Sequence, residues 1–280
     1  MRARITGKLA EGRTVDYDTL KKAAISIAGI AHVDRSGGMM RTDNFQGILN
    51  SNNELISITS RAYKPINHFE IDDMVMNEVG SKYGNVTRTF KIDMMDNKFV
   101  GRYKFNDISY DIGRGDTIIP ELTVRNAHDL RWCFESQIGA FRLVCSNGLV
   151  IGDIIDYARI KHVGVIKTNI KDVIYTSMTR FSETIDKWMS WNREVPYSLV
   201  LQIMKDMKLS TRKSEELAGY LVSTLGTSAT TPAELQNVNL WQAFNVFTWY
   251  ATHKLLSEQY KAGFERSLAK SVRKNIDRSY

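Results

Sequence analysis

The sequence lacks most of the signatures that announce a reaction. It holds no glycine-rich phosphate loop, of either the Walker or the dinucleotide type. No serine stands in a nucleophile elbow, and no two histidines lie four apart as they would on a zinc-binding helix. Cysteine is scarce: Cys133 and Cys145 are the only two in 280 residues. Two thiols do not make a disulfide framework in a chain of this size, so both are expected to be buried and reduced, in a cytoplasmic protein. No apolar run reaches the roughly 20 residues that cross a bilayer, so no membrane role is expected. The basic start, Met1 to Lys8, is followed by no long apolar segment, which argues against a signal peptide. Internal repeats and low-complexity tracts are missing too.

What is present is positive charge. Lysine and arginine number 38 against 31 acidic residues, a formal net charge of +7. An excess of that sign favours a polyanionic partner. Aromatic residues make up 10% of the chain and can serve as core or as stacking faces for unpaired bases.

Periodicity predicts an α+β fold. Tyr17–Ala31 reads as a short helix, with Leu20, Ala23, Ile27 and Ile30 on its apolar side. Leu55–Ile58 reads as a strand and His68–Gly80 as an amphipathic helix. Asn85–Met94 and Lys98–Phe105 alternate with period two about the polar connection Met95-Asp96-Asn97, the pattern of a β-hairpin. A meander follows: Leu122–Arg125, the turn Asn126-Ala127-His128-Asp129, Arg131–Ile138, a break at Gly139, then Phe141–Cys145. Gly148 is expected to supply a positive φ after that last strand. From about residue 169 onward the chain reads as helices: Ile170–Asn192, Pro196–Met207, Ser214–Leu225, and one started by Thr231-Pro232-Ala233-Glu234. These elements predict an α+β region over 1–168, built on an antiparallel sheet with packed helices. A mostly α-helical region over 169–280 would pack on it, as one domain or two.

Four pieces in a fixed order carry a resemblance. They are Tyr63-Lys64-Pro65-Ile66-Asn67-His68, Asn126-Ala127-His128-Asp129, Phe141 to Leu149 (FRLVCSNGL) and Lys161-His162-Val163-Gly164. Over about residues 55–170 the chain resembles the phage- and plasmid-borne family catalogued as domain of unknown function 932. It departs from that family's polar turn at Ala127, where serine is usual, and at Leu130, where glycine is usual. The resemblance implies a mobile-element setting, and with it replication, recombination or counter-defence. It implies no reaction.

No catalytic constellation, metal site or cofactor is assigned. His68, His128, Asp129 and His162 could meet as metal ligands only through the fold, and Cys145 with His162 forms no recognisable nucleophile–base pair. The leading candidate is the hairpin at 85–105, whose wet face would present Lys91, Lys98, Arg102 and Lys104. Arg61, Lys64 and Arg88 lie near in sequence, with Tyr63, Tyr83, Phe90, Tyr103 and Tyr110 interleaved. Cations neutralise phosphates and rings stack on bases. A second basic stretch, with Lys270, Arg273 and Lys274, closes the chain. The aromatic group Trp188, Trp191, Trp241, Phe244, Phe247, Trp249 and Tyr250 is expected to form helix–helix core. Two functional expectations follow. The first is a non-enzymatic protein that binds single-stranded nucleic acid, with annealing or self-assembly as an oligomer. The alternative is a module that binds a host or phage protein, such as a defence or transcription component, through the helical half.

Overall fold

The computed structural model describes residues 13–33, 35–113, 116–142, 147–149, 157–163, 171–176, 181–225, 229–255 and 257–276. The fold is α+β. By packing, the chain divides into two compact units. One comprises Met1–Tyr103, Thr123–Ser136 and Ala158–Thr176; the other Lys104–Leu122, Gln137–Tyr157 and Ser177–Tyr280.

The chain opens with β1 (Arg13–Val15) and α1 (Tyr17–Lys22), followed by β2 (Ser26–Val33), β3 (Met39–Leu49) and β4 (Leu55–Ser60). The helix expected over 17–31 therefore stops at Lys22. Asp16 caps it by accepting from the Thr19 amide at 2.8 Å. Ser26–Val33 pairs instead with β3, because its small and β-branched residues suit a pleated ribbon and long-range pairing overrides a weak helical period. The strands β2, β3 and β4 form a separate three-stranded antiparallel sheet.

Helix α2 (His68–Tyr83) starts at Asn67, whose amide donates to the Glu70 carboxylate at 3.1 Å. It runs one turn beyond the expected stop at Gly80 and ends at Gly84, where φ is +71°. The hairpin forms as expected from β5 (Val86–Ile92) and β6 (Lys98–Phe105). Its turn is built by Asp93, whose carboxylate accepts from the Asn97 amide at 2.7 Å and the Lys98 amide at 3.2 Å. Asp96, at φ +53°, is anchored by Arg13 at 3.0 Å and Ser51 at 2.6 Å.

The short β7 (Tyr110–Asp111) pairs with β8 (Thr117–Ala127), and β9 (Phe134–Arg142) pairs with β10 (Asn147–Leu149) and β11 (Tyr157–Ile160). The large sheet runs β1-β5-β6-β8-β9-β10. Two expectations are corrected here. Gly139 breaks nothing, since β9 runs through it, and Gly148 stands in extended backbone opposite Phe141. Residues 143–146, with Cys145, lie outside the described residues, as do the basic residues 1–8. Cys133 is a free, half-buried thiol that accepts from Arg159 Nε at 3.1 Å.

The turn after β8 holds Leu130 at φ +65°, a left-handed conformation that a Cβ disfavours. This is the position where the resembled family usually has glycine. Leu130 is also largely exposed, so its side chain contributes little packing. Leu130→Gly is expected to raise stability by about 0.5–1 kcal/mol, read as a higher urea midpoint at unchanged slope. A lower midpoint would show that the leucine makes contacts that outweigh the strain.

The second half is helical; residues 177–180, within the helix expected over Ile170–Asn192, lie outside the described residues. Helical turns occupy 171–176 (α3), then α4 (Phe181–Ser190), α5 (Tyr197–Asp206) and α6 (Thr211–Thr224). Thr231-Pro232-Ala233-Glu234 starts only a 3₁₀ turn, because β13 (Asn237–Asn239) pairs with β12 (Glu194–Pro196) directly afterwards. Asn239 then caps α7 (Leu240–Lys254), accepting from the Gln242 amide at 3.1 Å, and α8 (Glu258–Ile276) follows. Val200 and Ile203 of α5, Phe244 and Phe247 of α7, and Leu268 and Val272 of α8 meet in one apolar centre. No helix among the described residues is long and apolar enough to cross a membrane.

Candidate nucleic-acid interface

The hairpin does not present the surface its alternation suggests. Strand β6 lies between β5 and β8 in the sheet, and six of its eight residues are buried, on both faces of the strand. Tyr103 is sealed, with Phe90 edge-on to it at 6.2 Å, and Tyr63 is buried as well. Lys98 is buried too: its ammonium lies 3.7 Å from the Asp129 carboxylate and 5.7 Å from the Trp132 ring centre. Arg88 is committed to the buried Asp72 at 2.8 Å. Burial raises the Asp72 carboxyl's pKa, and the Arg88 guanidinium opposes that rise. Lys91, Arg102 and Lys104 are half-buried. The wet face expected of this strand is thus corrected: Lys98 and Val100 on it are buried, and Arg102 and Lys104 are half-buried.

Arg61 and Lys64 do stand exposed, on the segment after β4. Lys270, Arg273 and Lys274 are exposed on one side of α8, at the i, i+3, i+4 spacing that shares a helix face. Lys274 also pairs with Asp206 at 2.8 Å.

A different cation–aromatic surface emerges on α6 and α7. The Tyr220 and Trp249 rings lie 4.7 Å apart, and the exposed His253 ring stacks on Trp249 at 5.1 Å and 21°. The His253 Nδ1–H donates to the Trp249 carbonyl at 3.0 Å, which fixes the stack. The Lys254 ammonium sits 5.5 Å from the Tyr220 centroid and 5.7 Å from that of Trp249. A hydrogen bond to Tyr220 raises the Lys254 pKa, so the charge persists through neutral pH. Chemically this is a row of partly exposed rings edged by a fixed cation. Trp188, Trp191, Trp241, Phe244, Phe247 and Tyr250 are all core, as expected, but Trp249 is only half-buried. The outward stripe of α7 carries Gln242, Trp249 and His253, seven and four residues apart. The polar members of that stripe are the signal that could have placed Trp249 outside.

The histidines of the motif pieces also come together, but inside. The His68 and His128 rings stack at 4.4 Å, and His162 stacks on Tyr63 at 5.0 Å. His68 Nδ1 accepts from Asn126 Nδ2 at 3.2 Å, and its Nε2–H donates to the Asp96 carbonyl at 3.2 Å. Neither ring nitrogen of the fully buried His128 has a hydrogen-bond partner. The His162 nitrogens make no well-aligned hydrogen bond, although the Lys64 backbone lies close enough to favour its protonated form. Burial is the main cause that lowers all three pKa values, that of His68 to about 3. Burial first and Asp129 second raise the Tyr63 phenol. The two stacked pairs set ring against ring, not nitrogen lone pairs around a common point. Among the described residues no group of three His, Cys, Asp or Glu is placed to hold a metal ion.

The profile of the family described as "Domain of unknown function (DUF932)" matches residues 57–279. The chain belongs to this family. Membership extends well past the region in which the four motif pieces lie and takes in nearly all of the helical half. Two curated relatives from Escherichia coli (strain K12), UPF0380 protein YfjQ and UPF0380 protein YafZ, are each 24% identical over 160 residues. That alignment covers 55% of this chain and 53% of each relative, so the chain spans about half the length of the curated relatives it matches. No solved structure matches significantly. Within this member of the family, the order of Tyr63, His68, Asn126, His128 and His162 in sequence has a physical meaning. These residues are buried as two stacked ring pairs, with Asn126 hydrogen-bonded to one of them.

Proposed function

We propose that this chain is a non-enzymatic protein that binds single-stranded nucleic acid, with the α6–α7 ring row as its stacking platform. The observation that carries the reading is the set Tyr220, Trp249, His253 and Lys254, partly exposed rings edged by a persistent cation. Unpaired bases stack on such rings whatever their identity, and the cation meets the neighbouring phosphate. The exposed face of α8, with Lys270, Arg273 and Lys274, and the net charge of +7 supply longer-range attraction.

Fluorescence anisotropy with a labelled single-stranded DNA of about twenty nucleotides, over a salt series, tests the proposal. Affinity should fall steeply as salt rises. Trp249→Ala should weaken binding by about 1–3 kcal/mol, roughly 5- to 150-fold. Lys254→Gln should flatten the logarithmic salt dependence by about one unit. Binding no tighter than about millimolar at low salt would end the idea, as would a Trp249→Ala variant that binds like the parent.

A further inference from the structure

Among the described residues, the outer strand of the small sheet carries no protective side chain, and its one irregularity is a register shift against β3 between Gly29 and Ile30. Strand β2, SIAGIAHV, is bonded to β3 on one side, and among the described residues no strand pairs with its other side. Edge strands are ordinarily blunted by lysine, proline, inward charge or a β-bulge, and the shift at Gly29/Ile30 takes its extra residues from β3, where Gln46 and Thr42 are the successive partners. Residues 26–33 contain no proline and no Lys, Arg, Asp or Glu. Apolar side chains stand in water along it instead. Ile27 is 59% and Val33 67% exposed, and Met39 and Met40, opposite the strand's far end, are 80% and 52% exposed. A strand edge with unmet backbone donors and acceptors selects another strand as its occupant.

The spacing of the residues selects which strand. Ile27 and Val33 lie three residues on either side of Ile30. Between them, Ala28 mirrors His32 and Gly29 mirrors Ala31. Two copies laid antiparallel about a twofold axis through Ile30 would set Ile27 of each against Val33 of the other. Ile30 would face its own copy on the axis, and no formally charged side chain would meet its like. The residues share parity, so each such pair lies on one face of the joined sheet. The pairing is isologous and closes on itself, which leaves no growing edge.

We propose that this protein forms a twofold dimer by antiparallel pairing of β2 with β2 of a second copy, merging two three-stranded sheets into one of six. The proposal is independent of nucleic-acid binding, and its test uses full-length protein freed of nucleic acid by nuclease treatment.

Sedimentation velocity or light scattering should give twice the chain mass at about 100 µM. The double variant Ile27→Lys/Val33→Lys places like charges opposite each other at both ends of the joined strands. It should dissociate the dimer at least about tenfold more readily. Ile27→Lys/Val33→Glu carries equally polar substitutions at the same exposed sites but sets opposite charges across each pair, and should restore the dimer mass. Both positions are exposed, and circular dichroism with the thermal midpoint verifies that each variant is folded. A monomeric parent at about 100 µM overturns the proposal, as do two folded double variants with the same association constant.

Discussion

Acidification from about pH 7 to about pH 5 is expected to strip stability from this protein faster than an ordinary surface titration would. In the unfolded chain each imidazole titrates near 6.5. In the fold, burial lowers the pKa of His68 to about 3, that of His128 well below its usual value, and that of His162 in the same direction. Between the unfolded and folded values the unfolded chain holds more protons. Stability therefore falls as pH drops through the unfolded value and keeps falling until the folded value is reached; above neutrality nothing is lost. His68 alone should cost roughly 2 kcal/mol by pH 5, with His128 and His162 adding in the same sense. Against a total of about 5–15 kcal/mol this is a large share. Urea midpoints between about pH 7 and pH 5 measure it, and a flat profile would contradict the buried stack.

His128→Leu provides an internal control. Leucine is of similar volume, and neither nitrogen it removes has a hydrogen-bond partner. The variant should be more stable at neutral pH by about 1 kcal/mol and less sensitive to acid. If it unfolds at neutral pH instead, the ring nitrogens have partners that matter.

The second large effect belongs to Trp241. Its ring is buried at 6.0 Å from Trp188 and 6.3 Å from Phe244, and its Nε1–H donates to the buried Asp116 carboxylate at 2.5 Å. That bond ties the start of α7 to the segment leading into β8, 125 residues earlier in the chain. Trp241→Ala should lose about 3–5 kcal/mol from the cavity and a further 1.5–3 kcal/mol from the charge-assisted bond. The thermal midpoint should drop by roughly 10 °C or more. Trp241→Phe keeps most of the packing and should lose only about 2 kcal/mol, close to the worth of the bond. Equal losses in the two variants would place the whole effect in the hydrogen bond, and a Trp241→Phe variant as stable as the parent would place it in packing.

The legible parts of the fold are those where a local signal and the tertiary answer coincide. The polar run Met95-Asp96-Asn97 marks the β5–β6 turn, and the apolar period from His68 marks α2. The helical half is equally plain from its apolar period. The illegible parts are those where a distant partner decides. Ser26–Val33 has an acceptable helical stripe, yet its eight residues pair with β3. Gly139 looks like a break but sits in a strand held by neighbours. The wet face expected of the hairpin fails for the same reason. Lys98 and Tyr103 alternate correctly, but alternation says only that a strand has two faces, and distant segments bury most of both on β6.

The residues themselves determined the α+β class, the positive charge, the family resemblance and the aromatic core of the helical half. Each of these depends on composition or on contacts within a few turns. Tertiary structure alone decided that three distant histidines are buried in two stacked ring pairs, that the hairpin's cations are tied down, and that Trp249 faces outward beside Lys254. Burial and electrostatic pairing depend on which distant segments cover a side chain, and periodicity along the chain carries no record of that.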